Sequence, residues 1–457
     1  MTKTQKKLTL FALTWPIFIE LGLRMLMGNA DTLMLSRYSD DAVAAVGVAN
    51  QLVSVLLVMF GFVAMGTGIV VSQYLGAGEK RKASEVAVVA LGANLLFGLF
   101  LSLMMIVFGR TFLQWMGLPD ELMSDALTFL RIVGGAAVLQ AVMMAISATV
   151  RSHGFAKDAM YVTLGMNVLN VIGNYLFIFG PFGLPVLGVL GVSMSTAIAQ
   201  VCGLIVMFVI LVKRMDGALP FKLLLKFPRY ALVNILKIGV PSAGEHLSYM
   251  SSQVMITFLI TMIGIGALTT KVYTQNLMMF IYLFSMAIAQ GTQILIGHLV
   301  GAREQETAYR TCLKSLKIGI MVSLGMACVM SLFRENMLGL FTDDADIVAL
   351  GSTLILMTIL LEPGRVFNLV VISSLRAAGD AKFPVYLGIL SMWGVSVPLA
   401  YLLGIYLGYG LVGVWAAFIV DEWLRGLLML WRWRTKRWQQ MSLVQSVQAP
   451  VQEGAAG

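Results

Sequence analysis

Three ionisable residues share one face of the first apolar run. Glu20, Arg24 and Asp31 stand at i, i+4 and i+11, and eleven residues make almost three whole helical turns. A charge in a bilayer costs at least about 2.5–3.5 kcal/mol on insertion scales, so each one requires a reason. Glu20 and Arg24 can pair along the helix, a structural reason that competes with a functional one for both. Asp31 has no basic residue at i±3 or i±4, so local pairing does not explain it. It is expected to be functional, as a lone membrane carboxylate able to carry a proton or Na⁺.

The fifth apolar run carries Asn167, Asn170 and Asn174 at i, i+3 and i+7, again on one face. Asparagines can glue helices together. Their carbonyl oxygens can equally cage a hard cation or accept from a protonated carboxyl. In the seventh run Glu245 and His246 follow Pro241 by four and five residues. Glu245 lacks a base at i+4, where Tyr249 stands, and is expected to titrate or face a cavity. Glu245, Glu20 and Asn167 are candidates for a substrate or second ion site, and His246 is expected to pack. Glu362 with Arg365, and Asp421 or Glu422 with Arg425, are spaced as structural pairs. No phosphate-binding Gly-x-x-x-x-Gly-Lys-[Ser/Thr] loop occurs, nor any His/Cys cluster or His-Glu-x-x-His. ATP hydrolysis, a metal and a cofactor are therefore not expected, and the chain reads as no enzyme.

The elements that position these residues follow from composition. Of 457 residues, 59% are apolar and only 12% charged, with a mean hydropathy of +0.86. A soluble domain carries about 25% charged residues, so the chain belongs in a bilayer. Apolar windows centre near residues 10–35, 46–75, 86–109, 126–150, 160–180, 187–212, 233–262, 268–300, 313–333, 347–374, 384–406 and 410–431, and a span needs about 20 residues. With the N-terminus inside, cytoplasmic segments hold 23 of the 32 Lys and Arg residues, against Arg37, Arg110, Lys271 and Arg334 in the opposite loops. The positive-inside rule then places both termini in the cytoplasm. The same bias accounts for the net charge of +9. The cations are dispersed, so no nucleic-acid partner is expected. Lys3, Lys6 and Lys7 precede an uncleaved first helix. The basic, Trp-bearing stretch from Arg432 to Trp438 is read as an interfacial anchor. Cys202, Cys312 and Cys328 lie in apolar runs and indicate no disulfide framework. The 31 methionines either fill gaps between helices or make an adaptable binding surface.

The chain also repeats itself. Pro16 and Glu20 recur as Pro241 and Glu245; Gly66-Thr67, Gly76-Ala77 and Glu79 as Gly291-Thr292, Gly301-Ala302 and Glu304; Arg151, Gly154 and Tyr161 as Arg376, Gly379 and Tyr386. Each pair lies 225 residues apart (241 minus 16, for example), slipping to 222 where Gly188 and Gly191 recur as Gly410 and Gly413. Six spans per half is an even number, so the halves share one orientation, an architecture associated with transporters. The expected organisation is an N-lobe over 1–213, a cytoplasmic linker over 214–232, a C-lobe over 233–433 and a tail over 434–457. The expected fold class is an all-α membrane protein with twelve transmembrane helices in two six-helix bundles.

These residues resemble the multidrug and toxic compound extrusion (MATE) family over nearly the whole chain. The resemblance is carried by Ala30-Asp31-Thr32-Leu33-Met34 and by the twin segments Gln73–Glu79 and His298–Glu304. Arg151-Ser-His-Gly154, Arg376-Ala-Ala-Gly379 and the stretch from Asn170 to Gly180 complete it. It implies a V-shaped exporter of cationic, lipophilic drugs in exchange for H⁺ or Na⁺. Asp31 matches the coupling aspartate of helix 1, Asn170 the asparagine beside it and Thr196 a helix 6 threonine. Pro16 matches a proline where helix 1 bends, and Glu245 a glutamate found in part of the family. Many members have Asp where this chain has Asn174, which weakens a Na⁺ site and shifts the expected coupling ion towards H⁺. The expected setting is a monomer in the plasma membrane, bacterial cell or inner membrane, handling small cationic drugs or toxins. The alternative is a flippase for lipids or lipid-linked oligosaccharides, of the same broader fold. It is disfavoured because pyrophosphate-linked cargo needs a cationic cavity, and the spans hold Glu20, Asp31, Glu245, Glu362, Asp421 and Glu422 against few free bases.

Overall fold

The computed structural model describes residues 8–183, 185–215, 219–224 and 226–444. Lys3, Lys6, Lys7, Gly217 of the linker and the tail beyond Val444 lie outside the described residues. Twelve long helices run in sequence: α1 Leu10–Ser36, α2 Asp40–Gly76, α3 Lys80–Trp115, α4 Asp120–Ser152, α5 Ala156–Phe179, α6 Gly188–Arg214, α7 Arg229–Ile263, α8 Ile265–Gly301, α9 Gln305–Leu332, α10 Ala345–Ala377, α11 Lys382–Tyr406 and α12 Gly410–Arg434. No strand occurs among the described residues. Eleven of the helices are long and apolar enough to cross a membrane. The twelfth, α12, is 25 residues long and carries Asp421, Glu422 and Arg425 within it. Local chemistry starts several of them: the Thr9 and Ser39 hydroxyls accept from the amides of Ala12 and Ala42, and Asp40 and Asp41 sit in the positive first turn of α2.

Packing repeats as the sequence does. In the first half α2 and α3 pack on α4, α1 on α5 and α4 on α6; in the second, α8 and α9 pack on α10, α7 on α11 and α10 on α12. Even the slipped end of the repeat keeps its backbone, since Gly188 and Gly410 open α6 and α12 with φ of 54° and 60°.

The halves meet through reciprocal contacts related by the 225-residue offset. The C-terminal ends of α2 and α8 cross so closely that a Cβ on Gly76 would overlap the His298 carbonyl, and one on Gly301 the Gln73 carbonyl. At the next crossings a Cβ on Gly66 would lie 2.5 Å from the Ile235 carbonyl oxygen, and one on Gly291 would lie 2.9 Å from Thr14 Oγ1. Two hydrogen bonds obey the same symmetry: Gln73 Nε2 donates to the Ala377 carbonyl (2.6 Å) and His298 Nε2 to the Ser152 carbonyl (2.7 Å). Phe18 against Phe284 (5.3 Å) and Phe62 against His246 (5.5 Å) mark the inner limit of these contacts, which places His246 in packing, as expected. All lie towards the basic end of the helices. At the opposite end Gly22, Gly28, Gly244 and Gly264 have open space around them, and Leu26, Leu33, Leu247 and Val254 are exposed. The two bundles touch at the basic end and part at the other.

The start of the tail departs from the expected headgroup anchor. Trp433 and Trp438 are fully buried and stacked at 4.2 Å, with Trp438 Nε1 donating to the Trp433 carbonyl at 2.9 Å. Stacking and that bond hold Trp438 inside the protein, while Trp433 Nε1 is buried without a partner, so neither ring sits at the headgroups. The chain then crosses the basic face. The Leu443 amide donates to Gln73 Oε1 (2.9 Å), and the Leu443 side chain joins a core shared by α2, α3 and α7.

Glycine is required at the α2–α8 crossing, because any side chain there meets backbone. Gly301→Val is expected to hold the bundles apart at the basic end. Spin labels at the exposed positions Arg81 and Arg310 should then show a longer, broader distance distribution than in the parent; an unchanged distribution would refute the steric argument.

Candidate functional site

Four of the sequence candidates form one hydrogen-bonded chain between α1, α5 and α6. Asn174 Nδ2 donates to Asp31 Oδ1 at 2.6 Å and lies 3.3 Å from Asn170 Oδ1; Asn170 Nδ2 donates to Thr196 Oγ1 at 3.1 Å. Thr196 donates in turn to the Val192 carbonyl (2.9 Å), and Ser195 Oγ to the Asn170 carbonyl (2.8 Å), which fixes α5 against α6. Asn170, Asn174 and Thr196 are buried, while Asp31 is half-buried. Asn174 Oδ1 is buried without a partner. An acceptor next to the carboxylate is thus free for a donor such as a protonated acid. Asn167 lies outside the chain: its Nδ2 donates to the Leu23 carbonyl (2.7 Å), tying α5 to α1. Pro16 is buried inside a continuous α1. It removes one rung of the backbone ladder, four residues before Glu20.

The other acids are held differently. Glu20 is 1% exposed and receives Arg24 (3.0 Å) on one oxygen and Arg151 of α4 (3.2 Å) on the other. Glu245, expected to titrate or face a cavity, is instead ion-paired with Arg376 of α10. Tyr249 at i+4 excludes a basic partner one turn along the same helix only. The true partner comes from a different one, as the repeat mate of Arg151. Arg151 and Arg376 stand at the ends of α4 and α10, yet both reach inward to an acid. One signal could have found them: acid and arginine recur at the same offset, so the pair recurs. Glu362 pairs with Arg365 (2.6 Å), and Arg425 with Asp421 (2.9 Å) and Glu422 (3.2 Å), as their spacing suggested. Among the described residues Asp31 is therefore the one intramembrane acid without an ion-pair partner. The expected excess of intramembrane acid over free base is corrected accordingly, because five of six acids are matched by arginine.

The C-lobe groups gather around a narrow polar cavity of about 40 Å³, bounded by Tyr249, Gln253, Gln275, Arg365, Glu422 and Arg425. Asn368 Nδ2 braces Glu422 there at 3.0 Å. Gln253, Gln275 and Asn368 were not singled out in the sequence, since neutral amides carry no signal of cost. Lys271, expected in an outward loop, is buried in α8, with Nζ donating to Thr257 Oγ1 at 2.6 Å. No group of three or more His, Cys, Asp or Glu residues is placed to hold a metal among the described residues.

Two helical bundles closed at one end and parted at the other are the architecture of a membrane transporter. The MatE family model matches residues 16–176 and 241–402, one stretch per lobe, and the chain belongs to this family, whose members are transporters and not enzymes. It is 53% identical over 438 residues, 96% of either chain, to the "Uncharacterized transporter YisQ" of Bacillus subtilis (strain 168). It is 24% identical over 436 residues, 95% of this chain and 94% of the other, to the "Probable multidrug resistance protein NorM" of Thermotoga maritima. Among solved structures, one described as "Crystal structure of MATE in the bent conformation" superposes with a TM-score of 0.86 at 22% identity, over 95% of this chain and 96% of that one. Another, "Outward-facing conformation of a multidrug resistance MATE family transporter of the MOP superfamily", gives 0.85 at 21% identity over 96% of either chain. These establish the fold of a multi-pass membrane protein in two six-helix bundles.

The corrected role of Glu245 has a measurable consequence. Glu245→Gln leaves the Arg376 cation buried without its counter-charge, which costs about 3 kcal/mol or more. The detergent-solubilised variant should unfold at a lower temperature, and adding Arg376→Gln should restore most of the loss. A single variant as stable as the parent would show that the pair is not structural.

Proposed function

We propose that the protein is a secondary active exporter of lipophilic organic cations, driven by proton entry, with Asp31 as the carboxylate for which proton and cargo compete. Family membership supports a multidrug-type efflux transporter. One observation carries the finer reading: Asp31 alone among the intramembrane acids lacks a counter-ion, so its negative charge is free for an incoming cation. A proton and an organic cation cannot both use that charge, and mutual exclusion of this kind is what antiport requires.

The surroundings of Asp31 suit a proton better than Na⁺. Asn174 presents its NH₂ to the carboxylate, whereas a cation cage needs carbonyl oxygens directed inward. Protonation removes the half-buried charge and weakens that hydrogen bond, which loosens α1 from α5. The α1 segment beyond Pro16 is then free to bend where its ladder is already interrupted. Ile17, Phe18 and Leu21 beyond Pro16 pack on α8, so bending remodels these contacts while the α2–α8 crossing stays closed. In this reading the basic end faces the cytoplasm, both termini lie there, and the open end faces outward to release cargo and admit protons. The protein acts as a monomer in the plasma membrane, with no cofactor. Anionic cargo is not favoured, because the interior arginines at 24, 151, 365, 376 and 425 are all engaged by acids.

Proteoliposomes loaded with ethidium should lose the dye under an imposed proton gradient and retain it under a Na⁺ gradient. Asp31→Asn should reduce efflux to the rate of protein-free vesicles while inserting and purifying normally, and Asn174→Ala should slow it less. Wild-type efflux by Asp31→Asn under a proton gradient would overturn the mechanism, and efflux driven by Na⁺ alone would overturn the choice of ion.

A further inference from the structure

A groove on the N-lobe lies apart from Asp31, which is not among its lining residues. It runs between α5 and α6 on the outside of the N-lobe, with a volume of about 450 Å³. Val162, Gly165, Leu169, Cys202, Val206 and Ile210 form its apolar walls. A side chain at Gly165 would meet nothing within 4 Å, which leaves the floor open. From Asp158 at the mouth to Leu169 at the inner end is eleven residues, or roughly 16 Å of helix, about half the ~30 Å hydrocarbon core of a bilayer. The groove is therefore one leaflet deep.

Its polar groups are confined to the mouth at the basic end. Arg214 Nε donates to Asp158 Oδ2 at 2.7 Å and its guanidinium lies 4.2 Å over the Phe155 ring, so the head of Arg214 is fixed in place. Lys213 beside it is exposed and has no acidic partner among the described ion pairs. Tyr161, 58% exposed, adds a hydroxyl at the same level. Among the described lining residues two cations stand against one acid, above an apolar trough. That combination complements a phosphodiester on a hydrocarbon chain.

We propose that this groove is a binding site for an anionic phospholipid, with one acyl chain in the trough between α5 and α6 and the phosphate at Lys213 and Arg214. Leu169 at the inner end adjoins Asn170, so the bound chain braces α5 from behind where its other face holds the Asp31 hydrogen-bond chain.

The test uses purified, delipidated protein exposed to equal amounts of phosphatidylglycerol and phosphatidylcholine, with retained lipid read by native mass spectrometry. One surface cation without an acid among the described residues favours the anionic lipid by about fivefold, and that preference is expected for the parent protein. Lys213→Glu should bring the ratio to about one or below. Gly165→Leu fills the floor and should reduce retention of both lipids; Val206→Trp, on the exposed opposite wall, repeats the test if the first variant does not fold. Equal retention of the two lipids by the parent, or an unchanged ratio in Lys213→Glu, overturns the proposal. So does displacement of phosphatidylglycerol by inorganic phosphate, which would make the site one for a free anion. Displacement by ethidium, lost in Gly165→Leu, would make it a cargo site and overturn the lipid assignment as well.

Discussion

Two helix ends that touch backbone to backbone hold the molecule together. At Gly76 and Gly301 the absence of a side chain lets α2 and α8 approach until each glycine abuts the other helix's carbonyl. Small residues at such crossings are how helices gain packing in a bilayer, where lipid tails are as apolar as the helix surface. The contact also aligns Gln73 and His298 with carbonyls at the ends of α10 and α4. Those carbonyls belong to helix termini and would otherwise be unsatisfied. Bundle orientation, the closed end and the open end all follow from this one crossing. Leu443 is buried beside it, so the start of the tail adds to the same seam.

The second constraint is the cost of charge away from water. The protein meets it by pairing nearly every intramembrane acid with an arginine, and it does so twice with the same geometry: Glu20 with Arg151, Glu245 with Arg376. Breaking such a pair strands a charge, whereas an unpaired carboxylate that can take up a proton escapes the cost by becoming neutral. Pairing elsewhere is what makes Asp31 distinctive, since a single free charge responds to a proton without competing changes nearby.

The proposed coupling site lies where the repeat fails. The positions 225 residues beyond Asp31, Asn170 and Asn174 are Ile256, Val395 and Leu399, so the hydrogen-bonded chain has no counterpart in the C-lobe. That lobe has its own polar cluster instead, built on Arg365, Glu422 and Arg425. The symmetric residues close and brace the two bundles, and the asymmetric ones differentiate them. On the proposed mechanism this division lets a common frame rock while only one lobe responds to the ion.

The sequence by itself determined the twelve spans, the two like-oriented halves, the family and the grouping of Asp31 with Asn170, Asn174 and Thr196. Spans and halves are legible locally or by self-comparison, since apolar length sets a span and a constant offset reveals a repeat; the family and the grouping of Asp31 with Asn170 and Thr196 rest on the resemblance of their motifs. Tertiary structure decided which charges are free. Glu245 and Asp31 look alike along the chain, each without a base one turn away. Only the fold brings the Arg376 side chain, at the end of α10, to Glu245 of α7, and among the described residues no arginine pairs with Asp31. The fate of Lys271 and of the Trp433–Trp438 stack was decided the same way, by neighbours distant in sequence. Ion pairing and stacking act through space over a few ångströms, and sequence spacing reports such distances only within a single helix.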